Sequence, residues 1–344
     1  MESCFLPTNN EIDLTITART WGRLPDPGYD VDAASSTTFV QGLKVLGGHG
    51  DATLKEGLAI YQYAFDTNME REAFTTHDGE LLIIPQDGAL DVLTEMGMLR
   101  LRPGMIGVVP PGIRFAVSNA SIATGHLSAY GYALEVYGTS FRLPDLGVLG
   151  ANGLAHVRDF EYPVANSDPF DSDDAGQWRI TVKLAGRLQS YHQKNTPFDV
   201  VAWHGKYAPY RYNLAHFCHL TANKDQLDPT AFAVLTAPSR WPGISLVDFC
   251  VFGEKWLVAK DTLRIPYYHR TMATELCGVI RGEYRGTGKT LVPGGLSMDQ
   301  SYTPHGESFE AYVRAVNAKR EDMGPVKAGE GYLGQCFLLG PSWV

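Results

Sequence analysis

An all-β fold is what this sequence predicts, on three observations. Glycine (36) and proline (20) recur along the whole chain. They cut it into short apolar runs at intervals of about ten residues, the rhythm of a sandwich or barrel. Within the runs, apolar residues alternate with polar ones or form brief buried stretches rather than a helical period. Helical periodicity is weak, so only short helices are expected, near 227–235 and 307–320.

The stretch 80–117 shows the rhythm most clearly. Glu80 to Pro85 reads as a strand, closed by the turn Gln86-Asp87-Gly88. Ala89 to Glu95 and Met98 to Leu101 follow, separated by Met96-Gly97. Arg102-Pro103-Gly104 turns into Met105 to Val109, and Pro110-Pro111-Gly112 into Ile113 to Val117. Glycine and Asp-Gly at these breaks supply the backbone freedom a tight reversal needs. A linker rich in glycine, asparagine and aspartate is expected over 151–177. It divides the chain into an N-terminal block, 1–150, and a second β-rich block, 178–344.

The length of 344 residues suits two such blocks. A net charge of −9 argues against a nucleic-acid partner. No apolar run approaches the roughly 18 residues a membrane helix needs, so no membrane partner is expected. The N-terminus lacks a basic segment followed by an apolar core. Cys4, Cys218, Cys250, Cys277 and Cys336 are odd in number and widely spaced, and they contain no C-x-x-C. They read as reduced, mostly buried thiols of a cytoplasmic protein.

The chemistry-bearing constellation lies late in the chain. Tyr267-Tyr268-His269 is followed by Glu275, by Gly282, and later by Thr303-Pro304-His305-Gly306. This resembles the metal-binding signature of cupins: a histidine cluster, a glutamate, a glycine seven residues on, and a histidine on a later strand. Thr271 stands where many cupins carry a second histidine. Two imidazoles and one carboxylate make a facial triad that leaves positions open and suits iron(II), Fe(2+). Spacing alone leaves another reading open, in which His269 and His305 are satisfied polar residues and Glu275 is a surface charge.

Longer runs carry a more specific resemblance. Arg264-Ile265-Pro266-Tyr267-Tyr268-His269-Arg270, Gly278-Val279-Ile280-Arg281-Gly282, Val200-Val201-Ala202-Trp203-His204-Gly205 and Leu81-Leu82-Ile83-Ile84-Pro85-Gln86 resemble, collinearly, the homogentisate 1,2-dioxygenase family. The resemblance implies a double-cupin (bicupin) jelly-roll with few short helices. It also implies Fe(2+) on His269, Glu275 and His305, an aromatic small-molecule substrate with O₂, and a trimer-based homo-oligomer. In the first block, Phe115 stands where a metal-binding cupin places its histidine. That half is therefore expected to be metal-free, with His49, His77 and His204 in structural or supporting roles.

Four positions depart from the family pattern or sit beside a departure. Gln226 occupies the place of the family's histidine base, and a glutamine amide accepts no proton near neutral pH. Glu283 replaces a histidine just before the retained Tyr284. Asp299 replaces a histidine six residues before His305. Thr287 takes the place of a lysine, with Lys289 two residues beyond it. Exchanging imidazoles for carboxylates predicts a hydroquinone-like or polyhydroxylated substrate other than an anionic one. The functional expectation is an iron-dependent dioxygenase that cleaves such a ring. The competing readings are an iron oxygenase of a biosynthetic pathway that leaves the ring intact, and a non-catalytic bicupin binding protein.

Overall fold

In the computed structural model the described residues are 19–21, 36–122, 125, 127–145, 155–165, 176–198, 207–219, 232–257, 268–282, 291–318, 326–328 and 331–340. They fall into two compact units. The first lies within Pro25–Ser140 and Val157–Ala215, the second within Asn9–Leu24, Phe141–His156 and His216–Val344. Strand β1 (Arg19–Trp21) belongs to the second unit. The first unit holds β2 (Leu43–Asp51), β3 (Glu56–Phe65), β4 (Glu72–Thr76), β5 (Gly79–Asp87), β6 (Leu90–Thr94), β7 (Gly97–Leu101) and β8 (Met105–Val109). It continues through β9 (Phe115–Asn119), β10 (Ala129–Tyr137), β11 (Phe160–Glu161), β12 (Trp178–Leu184), β13 (Arg187–Gln193) and β14 (Tyr210–Asn213).

These strands form two sheets, ordered β11-β14-β8-β5-β10-β3-β2 and β13-β12-β4-β9-β6-β7. The strands expected between residues 80 and 109 are all present. The last one begins at Phe115 rather than Ile113, because Gly112 takes a left-handed turn (φ 84°) and Ile113 closes it. β6 and β7 alternate buried and open positions, so one face of that sheet meets the core. β10 is buried at every position, as a central strand covered on both faces must be. Tyr63, Ile83 and Ala133 from one sheet share a core with Phe74, Val92, Leu101, Phe115 and Ile180 from the other. Phe115 is fully buried, with its ring 5.5 Å from that of Phe74. A phenyl ring here contributes roughly 1.5–3 kcal/mol of burial.

The second block set out from the sequence thus contributes β12, β13 and β14 to the sheets of the first unit. β12 runs parallel to β4, with Lys183 opposite Thr76. A buried ionic network anchors it. Lys183 Nζ lies 2.8 Å from Asp78 Oδ2 and 2.9 Å from Glu135 Oε2. Asp78 also accepts from the amides of Ala185 (2.6 Å) and Gly186 (2.8 Å), which fixes the β12–β13 turn. Glu135 accepts from the Tyr61 hydroxyl at 2.8 Å and from Thr76 Oγ1. Each of the four carboxylate oxygens therefore meets at least one donor.

The second unit holds β15 (Ala233–Pro238), β16 (Ser245–Phe252), β17 (Lys255–Leu257), β18 (Thr274–Arg281), β19 (Leu296–Asp299), α1 (Phe309–Val316), β20 (Val326–Ala328) and β21 (Leu333–Leu339). Its main sheet is ordered β1-β19-β18-β21-β16-β15, and β17 pairs with β20. α1 lies inside the helix expected near 307–320. It is capped by Ser308, whose hydroxyl accepts from the Ala311 amide at 3.2 Å. The other expected helix, near 227–235, is corrected where it is described. Ala233 to Pro238 is a strand, because its apolar run is buried and laddered against β16. The rest of that segment lies outside the described residues. The all-β, double-cupin expectation stands as two β-built units with, among the described residues, one α-helix. Among those residues no helix is long and apolar enough to cross a membrane.

Candidate metal centre

His269, Glu275 and His305 come together in the second unit, with one donor atom from each lying within 4.8 Å of the others. Three pieces of backbone do this. His269 sits in the loop that leads into β18, and Glu275 is the second residue of that strand. His305 follows β19 after a reversal through Tyr302, whose left-handed φ of 61° tightens the turn. The Tyr302 amide donates to Thr271 O at 2.7 Å, and that of Thr303 donates to Gln300 O at 3.1 Å. The two histidines then pair directly: each amide donates to the other's carbonyl at 2.8 Å. Their rings sit 4.5 Å apart, tilted by 59°. Thr271, at the place of a second cupin histidine, spends its hydroxyl on the Ala273 carbonyl at 3.0 Å, stiffening the loop.

The polar atoms of the cluster are directed inward. The Thr303 carbonyl lies 2.9 Å from His305 Nδ1, so that nitrogen donates outward and Nε2 faces Glu275. His305 Nε2 is 3.7 Å from Glu275 Oε1, an ion-pair approach rather than a hydrogen bond. Both atoms are buried and neither has a hydrogen-bond partner. A buried carboxylate oxygen and imidazole nitrogen left without hydrogen bonds are unfavourable unless a proton or a metal ion binds between them. The Glu275 carboxylate raises the His305 pKa to about 9, against the effect of burial and with help from the Thr303 carbonyl and Asp299. Histidine nitrogens, a carboxylate oxygen and unmet lone pairs are the donor set a divalent ion with open positions requires.

Asp299 is the one departure from the family pattern that falls among the described residues near this cluster. It stands directly opposite Glu275 across β18 and β19, so both side chains share one face of the sheet. Burial raises its pKa, His305 opposes that, and Glu275 adds to it. Gln226, Glu283 and Tyr284 lie outside the described residues, as do His204, Thr287 and Lys289. His49 and His77 lie in the first unit, outside this cluster.

The cysteines require a correction. Cys277 and Cys336 are disulfide-bonded rather than reduced, with Cα atoms 4.0 Å apart. They are opposite one another in the β18–β21 register, so strand pairing brings the two side chains together on one face. Cys277 is two residues beyond Glu275. That spacing was visible in the sequence, but the partner strand was not.

Residues 9–214 match the family described as homogentisate 1,2-dioxygenase N-terminal, and residues 215–339 match its C-terminal counterpart. A homogentisate 1,2-dioxygenase of Caenorhabditis elegans is 42% identical over 318 residues, covering 92% of this chain and 69% of the relative. One from Drosophila melanogaster is 42% identical over 305 residues, covering 88% and 66% respectively. The chain thus spans about two thirds of the length of these relatives. Among solved structures, a cupin 2 conserved barrel domain protein from Leptotrichia buccalis aligns with TM-score 0.35 and 9% identity, covering 89% of this chain and 91% of that one. With both halves matched in order, and with more than two fifths identity over nine tenths of its length, this chain belongs to the homogentisate 1,2-dioxygenase family of non-haem iron, ring-cleaving dioxygenases.

Proposed function

We propose that this chain cleaves the ring of homogentisate or a closely related hydroquinone with O₂, using iron(II) held by His269, Glu275 and His305. The observation that carries the proposal is the buried pair Glu275 Oε1 and His305 Nε2, neither with a hydrogen-bond partner, with a His269 donor atom close to both. Iron(II), when bound, supplies the electron relay between an aromatic ring and dioxygen that ring cleavage needs. The chain's own residues do the rest. The Thr303 carbonyl holds His305 in the tautomer that offers Nε2. The paired backbones of His269 and His305 fix the angle between the two imidazoles. Tyr268 and Tyr302 are largely exposed beside the ligands, where they supply aromatic surface for a planar substrate.

The relatives' identity of 42% does not support a change of substrate, so homogentisate is the first compound to test. The finer departures still have consequences. Asp299 adds a second carboxylate to the face that carries Glu275. Gln226 removes an imidazole, and general-base catalysis is typically worth ~10²–10⁴-fold. The test is O₂ uptake by iron-loaded protein with homogentisate and with neutral hydroquinones. The expected result is one O₂ consumed per substrate, with a ring-opened product found by mass spectrometry. Iron-loaded protein that consumes no O₂ with any of them would overturn the proposal. A trimer-based homo-oligomer is part of the same reading, and the mass in solution tests it.

A further inference from the structure

The disulfide beside Glu275 belongs to no step of ring cleavage, and its placement is specific. Side chains two apart on a strand share a face, so Cys277 lies on the same face as Glu275. Cys336 faces Cys277 from β21. One donor atom from each of Glu275, Cys277 and Cys336 lies within 4.8 Å of the others. Glu275 Oε1 is buried with no hydrogen-bond partner. Glu275 therefore belongs to two donor sets, one completed by imidazoles and the other by sulfurs.

We propose that Cys277, Cys336 and Glu275 form a second metal site, open only when the disulfide is reduced, for a thiophilic divalent ion of the zinc class. In the disulfide form neither sulfur is a thiolate, and the carboxylate serves the histidines alone. A dithiol reductant delivers two electrons and two protons to the S–S bond and becomes a disulfide itself. Two thiols remain on the protein, and a divalent ion displaces both protons as it binds. Thiolate donors favour zinc over iron(II), whereas two imidazoles and a carboxylate favour iron(II) chemistry. One carboxylate cannot serve both ions in the same geometry. The thiol state of the strand pair thus sets which metal the second unit holds. Cys250 stands in register with Cys336 on the far side of β21, and β21 separates it from Glu275.

The test uses cobalt(II) as the probe on the full chain. One sample keeps the disulfide. The other is reduced with a phosphine, which is removed before the metal is added. Reduced protein is expected to show thiolate-to-cobalt charge-transfer absorption that one equivalent of zinc abolishes, and oxidised protein is expected to show none. Cys277→Ser and Cys336→Ser should each weaken this binding at least tenfold. The double variant His269→Ala/His305→Ala should keep the band, which separates this site from the iron site. Cys250→Ser should also keep it. In iron-loaded protein, zinc should lower iron occupancy after reduction and leave it unchanged before. Reduced protein that binds cobalt without a charge-transfer band refutes the site. So does a band that survives in Cys277→Ser/Cys336→Ser.

Discussion

Replacing Lys183 by methionine tests how the first unit is held together. Its ammonium lies 2.8 Å from Asp78 and 2.9 Å from Glu135, whose side chains are 0% and 1% exposed, while its own is 11% exposed. Methionine keeps most of the stem and removes the charge. Two buried carboxylates then lose the cation they share and keep only the half-exposed Lys55 ammonium, 4.0 Å from Asp78 Oδ1; breaking a buried pair typically destabilises by about 3–5 kcal/mol. The carboxylates are not fully orphaned. Asp78 keeps two amide donors and Glu135 keeps two hydroxyls. The expected loss is therefore near the lower end, about 3 kcal/mol. With a urea dependence of about 2 kcal/mol per molar, the midpoint should fall by about 1.5 M. Adding Glu135→Gln to Lys183→Met should recover at least half of the loss, since a neutral amide needs no counter-charge. Equilibrium unfolding in urea, followed by tryptophan fluorescence, measures both variants. A shift below about 0.3 M for Lys183→Met, or a double variant weaker than the single, would refute the reasoning.

Four further outcomes are expected. Burial pushes the Asp78 pKa up, but the Lys183 ammonium and the amides of Gly186 and Ala185 outweigh it, leaving the carboxyl below its usual value. A depressed folded pKa means that its stabilisation is complete above the ordinary carboxylate range and is lost as pH falls through the folded value; urea midpoints should therefore decline below about pH 4, and less so in Asp78→Asn. His305→Ala and Glu275→Gln should each cut iron content at least tenfold by metal analysis, because each removes one donor of a three-donor cluster. Phe115→Ala should destabilise the first unit by about 3–5 kcal/mol and leave iron content unchanged, since its ring packs on Phe74 and Phe39 in the first unit. Gln226→His should raise kcat for homogentisate if a base is what that position lacks, and unchanged O₂ uptake would show that the proton leaves by another route.

The sequence by itself determined the strands between residues 79 and 109, while near 233–238 it suggested a helix where the chain forms β15. Alternation and glycine-proline punctuation are local, and backbone pairing follows them closely enough that Met105 to Val109 coincides with β8. It also names the candidate ligand set, because His269, Glu275 and His305 stand out by residue type, spacing and the runs around them. Tertiary structure decided pairing. Nothing local states that β12 runs beside β4, more than a hundred residues earlier, or that a lysine on one strand neutralises carboxylates from two other segments. The same holds at the candidate metal centre. Residue type names Asp299 as a departure, but only the β18–β19 register places it opposite Glu275. Five scattered cysteines look like inert thiols until the β18–β21 register sets Cys277 against Cys336. The physical reason is common to all of them. Periodicity reports which face a side chain takes, whereas register fixes what it meets, and in a sheet register is set by strands distant in the chain.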